Sequence, residues 1–127
     1  MRPVNKGKSP YQKINDYSEA LPYLEKRLGG YCSYCEFPIK HVPEVEHIAS
    51  KAKGGDRTDW NNLLLGCKYC NTRKGKTTSP EDVDEYIWPD RDNTALAYTY
   101  RNGVPEVNEK KPVSYTHLRA HETRGNL

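Results

Sequence analysis

The sequence predicts a small α+β domain closed by a metal as well as by an apolar core. Four cysteines fall into two pairs, Cys32-Ser-Tyr-Cys35 and Cys67-Lys-Tyr-Cys70. The stretch between and after them reads as strand, loop, strand and helix. Apolar residues make up only 35% of the 127, and mean hydropathy is −0.99. That is a thin core for this length, so something besides burial is expected to hold the fold.

Residues 1–15 are polar, with Pro3, Gly7 and Pro10, and read as a basic extended arm. Its Arg2, Lys6, Lys8 and Lys13 suit contact with a phosphate backbone, and the arm reads equally as a segment without fixed structure. Residues 16–78 form the central domain. Its first element is a helix from Tyr17 to Leu28: Asp16 and Glu19 have capping-box spacing, and Tyr17, Leu21, Leu24 and Leu28 share one face. That stripe reads as core. Gly29-Gly30 ends the helix, while Pro22 either kinks it or marks its first turn. Tyr31–Lys40 carries the first cysteine knuckle. Val42–Ile48 follows as a strand, then a Lys- and Gly-rich loop from Ala49 to Asp59, a buried strand at Leu63-Leu64-Leu65, and a helix from Lys68 to Lys74.

Residues 79–112 form an acidic extension. Ser79-Pro80-Glu81-Asp82 starts a short helix reaching Tyr86. A loop covers Trp88–Asn93, and Ala95–Arg101 and Val104–Val107 form a hairpin about Asn102-Gly103. Residues 113–127 match no preceding element and resemble a translated adapter sequence. The expectation is a non-native tail replacing the natural chain beyond about residue 112, so His117 and His121 are assigned no role despite their i, i+4 spacing.

Charge divides the chain. Residues 1–80 hold 14 Lys/Arg against 8 Asp/Glu, and residues 81–127 hold 6 against 9. The cysteine-bearing part is the basic part, which favours a polyanionic partner. No apolar run approaches the roughly 18 residues of a membrane span, and the N-terminus lacks the apolar segment of a secretory signal. The default location is the reducing cytoplasm, where paired Cys-x-x-Cys turns point to metal before disulfide.

Two Cys-x-x-Cys turns supply the four thiolates of a tetrahedral Zn²⁺ site. Cys35 and Cys67 are separated by 31 residues, more than a simple zinc ribbon's roughly 15–20, so a folded hairpin is expected between them. The competing readings are buried free thiols or a redox pair; a redox motif usually stands alone, and here there are two. Glu46 and His47 are neighbours, so a straight strand would send them to opposite faces unless a bend brings both to one cleft. Asn71 directly follows the last thiolate, so zinc binding would fix its position.

Pro43-Glu-Val-Glu46-His47-Ile, Gly54-Gly55, Asn62-Leu63 and Cys67-x-x-Cys70-Asn71-Thr-Arg-Lys74-Gly75 together resemble the zinc-containing HNH endonucleases, over about residues 30–76. The resemblance implies a ββα-metal core, making residues 16–78 the nuclease domain. It implies that His47 is the general base, that Glu46 and Asn71 hold a catalytic Mg²⁺ or Mn²⁺, and that Asn62 fixes the loop and the orientation of the histidine. Glu46 stands where the family more often has Asp. The chemistry agrees: hydrolysis of a phosphodiester needs a base, an ion on the phosphate and relief of leaving-group charge.

Lys51, Lys53, Arg57, Arg73, Lys74 and Lys76 surround these positions in sequence and are expected to contact DNA phosphates. Tyr34 and Tyr69 are expected to pack within the knuckles. Outside the core, Met1–Gly7 and Tyr86–Thr94 resemble HNH proteins that accompany an ATPase in Septu-like anti-phage defence, implying an ATPase partner. The competing function is a non-catalytic zinc module that binds nucleic acid or protein.

Overall fold

The computed structural model describes residues 2–94 and 98–107. Two short strands form its centre. β1 (Glu44–His47) and β2 (Leu63–Gly66) pair antiparallel, with Glu44 opposite Gly66 and His47 opposite Leu63. β1 is shorter than the expected Val42–Ile48, because Pro43 has no N–H to give a ladder. Leu63, Leu64 and Leu65 are all fully buried. β2 is thus covered on both faces, which is why its sequence is an unbroken apolar run rather than an alternating one.

The first helix begins as a 3-10 turn, Tyr17–Ala20, and continues as α1, Leu21–Leu28. Pro22 sits in the first turn of α1, where its missing N–H costs nothing. Glu19 Oε2 accepts from the backbone N–H of Asp16 at 2.8 Å, the reciprocal half of a capping box. Leu24 and Leu28 enter the core beside Ala20, Ile48, Trp60, Ile87 and Trp88. Leu21 packs against this core while also lining a cavity, whereas Tyr17, expected in the same stripe, lies at the cavity and outside the core.

The first knuckle is tied to the sheet by Ser33 N–H donating to the Leu65 carbonyl at 2.8 Å. α2, Lys68–Lys74, starts at Cys67, whose sulfur accepts from Cys70 N–H at 3.3 Å, and packs on β1. Between the strands the chain turns at Gly54-Gly55. A Cβ at Gly55 would lie 1.9 Å from the Ala49 carbonyl oxygen, so only glycine fits.

Residues 2–15 of the arm form neither helix nor strand but are strapped down. Lys6 is buried: its Nζ donates to the Trp60 carbonyl at 2.6 Å and the Leu63 carbonyl at 2.7 Å, and lies 3.2 Å from Asp90 Oδ2. Val4 N–H donates to the Pro89 carbonyl at 2.9 Å, and Tyr11 OH to the Thr58 carbonyl at 2.6 Å. Lys6 therefore cannot serve a phosphate backbone, as the sequence suggested, because its ammonium is consumed inside. Val4 and Lys6 of the arm thus meet Pro89 and Asp90 of the 88–93 loop.

After α2, Pro80–Glu85 forms a 3-10 helix, one residue short of the expected end. Trp88 is fully buried and donates from Nε1 to the Val83 carbonyl at 2.7 Å. β3 (Tyr98–Arg101) and β4 (Val104–Val107) pair antiparallel. Their turn has φ of 54° at Asn102 and 80° at Gly103, as a two-residue hairpin of this type requires. The expected start of that strand at Ala95 and the tail of residues 113–127 lie outside the described residues. Among the described residues no helix is long and apolar enough to cross a membrane.

Replacing Lys6 with methionine keeps its volume but strands the Asp90 carboxylate. Breaking one side of a buried pair costs about 3–5 kcal/mol. Lys6→Met is expected to lose stability at the lower end of that range, since Arg91 also lies 3.0 Å from Asp90. Urea unfolding followed by circular dichroism measures it.

Candidate functional site

The four cysteine sulfurs lie within 4.8 Å of one another. Cys35 and Cys67, from different knuckles, have sulfurs 3.8 Å apart. A tetrahedron of sulfurs at the Zn–S distance of about 2.3 Å has edges of about 3.8 Å. The set therefore has the size and chemistry to hold a metal such as zinc. The thiols share protons unevenly: hydrogen bonds from the other three sulfurs pull Cys67 down, Cys32 chiefly draws Cys35 down to about 7, and Cys32 and Cys70 are pushed up.

A cavity of about 600 Å³ is lined by residues of the first helical turn, β1 and α2. Tyr17, Glu44, His47, Lys51, Asn71 and Lys76 are among the residues that line it. His47 is the last residue of β1 and is 7% exposed. Its Nε2 lies 2.9 Å from the Arg57 carbonyl oxygen. A carbonyl only accepts, so Nε2 carries the hydrogen and Nδ1 is the lone-pair nitrogen. Burial lowers the affinity of His47 for protons; the charges of Lys51, Arg57 and Lys74 act in the same sense, against the Arg57 carbonyl contact. The ring is therefore neutral at pH 7, as a base must be.

Asn62 holds the loop that carries this carbonyl. Its Oδ1 accepts from Ala49 N–H at 2.8 Å, and its Nδ2 donates to the Ala49 and Asp56 carbonyls at 3.1 and 2.6 Å. All these contacts are to backbone, so Asn62 ties Ala49 and Asp56 together within the loop that carries the Arg57 carbonyl.

Asn71 lies one residue beyond Cys70 in α2 and reaches the cavity. Its Nδ2 donates to Glu44 Oε1 at 2.8 Å, which leaves Oδ1 as its acceptor atom.

Glu46 corrects the sequence reading. The strand pleat separates it from His47 and turns it inward. It is 1% exposed; Lys74 Nζ lies 3.0 Å from Oε1, and Tyr34 OH donates to Oε2. Burial pushes its carboxyl up, while Lys74 and the Tyr34 hydrogen bond pull it back. Glu46 borders the cavity, but both oxygens are engaged, so it offers none to an ion there. Lys74, expected at the nucleic-acid surface, is corrected for the same reason. It is 1% exposed and also donates to the His47 carbonyl at 2.8 Å. Tyr34 is fully buried, in line with a packing role.

Lys51, Lys53, Arg57, Arg73 and Lys76 are exposed. Lys51 and Lys76 line the cavity itself. Lys51 Nζ lies 4.2 Å from the Tyr17 ring centre, and that ring meets His47 edge-on at 4.8 Å. Tyr17 and Glu44 are among the cavity residues that sequence reasoning missed. Tyr17 was absorbed into an amphipathic stripe, and Glu44 was overshadowed by the Glu-His pair two residues later. Its strand period of two with Glu46 was the signal that both glutamates face α2.

Residues 32–77 match the family model described as HNH endonuclease. The hairpin, the following helix and the four-cysteine cluster are the ββα-metal arrangement of that family, and the match supports nuclease-type activity in general. No curated protein and no solved structure shows a significant match.

Two outcomes follow. Structural zinc contributes roughly 10–16 kcal/mol, against about 5–15 for a whole domain. Chelation of the metal, or Cys70→Ser, is therefore expected to abolish cooperative thermal unfolding, with metal content measured in parallel by atomic emission. For His47 the folded-state value lies below 6.5. Above pH 6.5 neither folded nor unfolded chain is protonated there, so its share of stability is intact. That share is lost as pH falls from 6.5 through the folded value. An NMR titration of the imidazole should inflect below 6.5, and an inflection above it would contradict the burial.

Proposed function

We propose that the chain is a metal-dependent endonuclease that hydrolyses phosphodiester bonds in DNA. The observation that carries this reading is the His47 imidazole, held neutral by burial with Nε2–H fixed on the Arg57 carbonyl, in one cavity with Asn71 and two lysines. The residues fit a hard divalent cation: an amide oxygen and a strand carboxylate leave room for water and phosphate oxygens, as Mg²⁺ prefers. When bound, that ion would neutralise charge on the phosphate and the departing oxygen.

His47 Nδ1 takes the proton of a water molecule as its oxygen attacks phosphorus. The bond from phosphorus to the 3′ oxygen breaks, and that oxygen leaves with a proton from solvent. The ends are a 5′-phosphate and a 3′-hydroxyl. Lys51 and Lys76 would neutralise the scissile or adjoining phosphates, and Lys53, Arg57 and Arg73 those further along the strand. The resemblance outside the core supports the finer part of the proposal, a cut governed by an ATPase partner in phage defence.

The test is relaxation of a supercoiled plasmid with Mg²⁺ or Mn²⁺ by the zinc-loaded chain. His47→Ala is expected to lower the rate by about 10²–10⁴-fold, and Asn71→Ala comparably. Equal cutting by wild type and His47→Ala would remove the catalytic reading and leave a zinc module that binds without cutting.

A further inference from the structure

Within the nuclease reading, on which this inference rests, the ion needs a negative ligand. We propose that Glu44, rather than Glu46, supplies the carboxylate that holds the catalytic divalent cation together with Asn71.

Two glutamates border the cavity, Glu44 and Glu46. They sit two apart on β1 and so face the same way. Their situations differ in every respect that matters to a cation. Glu46 is closed off, its charge is matched by Lys74, and its two oxygens are bound by Lys74 and Tyr34. Freeing an oxygen would strand a buried ammonium and a phenol hydroxyl in a dry interior. Glu44 is half-buried at the cavity wall. Its Oε1 accepts from the Asn71 amide, and no lysine or arginine pairs with it among the described residues. It therefore brings a carboxylate with no ion-pair partner among the described residues to a cavity that His47, Lys51, Asn71 and Lys76 also line.

The hydrogen bond also fixes a choice that an asparagine cannot make alone. Its two amide ends are alike in shape, and only the oxygen can bind a metal. Glu44 can accept only from the nitrogen. Giving Nδ2 to Glu44 therefore assigns Oδ1 to the ion. One carboxylate thus does two things: its first oxygen sets the orientation of Asn71, and its second, Oε2, is the negative donor beside it. The opposite ends of this pair are anchored independently, Glu44 in the β1–β2 ladder opposite Gly66 and Asn71 in α2 behind the cysteine cluster.

Binding of Mn²⁺ to the full zinc-loaded chain, read by electron paramagnetic resonance of free Mn²⁺, tests this without reference to cutting. Glu44→Gln is expected to weaken Mn²⁺ binding by roughly tenfold or more, with zinc content and melting temperature unchanged. Glu46→Gln, whose amide oxygen still accepts a hydrogen bond in the interior, is expected to weaken Mn²⁺ binding less than Glu44→Gln does, and an equal or greater loss would overturn the preference for Glu44. Glu44→Gln that binds Mn²⁺ like wild type, while Asn71→Ala loses it, overturns the role of Glu44 and leaves the nuclease reading standing. Wild type that binds no Mn²⁺ at this site overturns both.

Discussion

The Lys74 ammonium is the point on which the architecture of the site depends. It is sealed in the interior, 3.0 Å from Glu46 and 2.8 Å from the His47 carbonyl. One side chain from α2 thus grips two successive residues of β1. A buried pair of this kind adds little net stability over apolar packing, but it tolerates few alternative arrangements. Its contribution is positional: it sets where the strand ends relative to the helix, and hence where the imidazole begins. The Trp88 ring, 5.7 Å from the ammonium, closes the same space.

The sulfur cluster acts on the same helix from its other end. Cys67 caps α2, Cys70 lies within its first turn, and Asn71 is the next residue. A seven-residue helix would not hold its shape alone in water. Clamped by sulfurs at one end and by Lys74 at the other, it becomes a rigid support that presents Asn71 between the two fixed points. The strand opposite is only four residues long, and the loop between the strands owes its form to the Asn62 amide and to a turn at Gly55 that admits no side chain. The candidate site is thus built from very short elements, each fixed by a side chain and not by its own length.

The parts legible in the sequence were those where spacing dictates structure. Paired Cys-x-x-Cys turns leave few ways to arrange four thiols, and the Leu63–Leu65 run, the Lys68–Lys74 helix and the Asn102-Gly103 turn lie where the pattern places them. Less legible were outcomes decided by competition in the interior. Lys6 and Lys74 look like surface cations, and a Lys–Asp or Lys–Glu match far apart in sequence cannot be seen from either residue alone. Glu46 beside His47 matches a motif, and the motif does not say that Tyr34 and Lys74 reach the carboxylate first. Tyr17 has helical spacing with Leu24 and Leu28, yet it belongs to a 3-10 turn, and the change of pitch carries it out of the core stripe and onto the His47 ring.

The strap formed by the arm sets an order of events during synthesis. Its anchor, Asp90, emerges from the ribosome long after Lys6, and the Trp60 and Leu63 carbonyls that share the ammonium come in between. The nascent arm therefore cannot complete this anchorage until residue 90 has been made. The contact joins early and late residues across a long sequence interval, the kind of contact that slows folding.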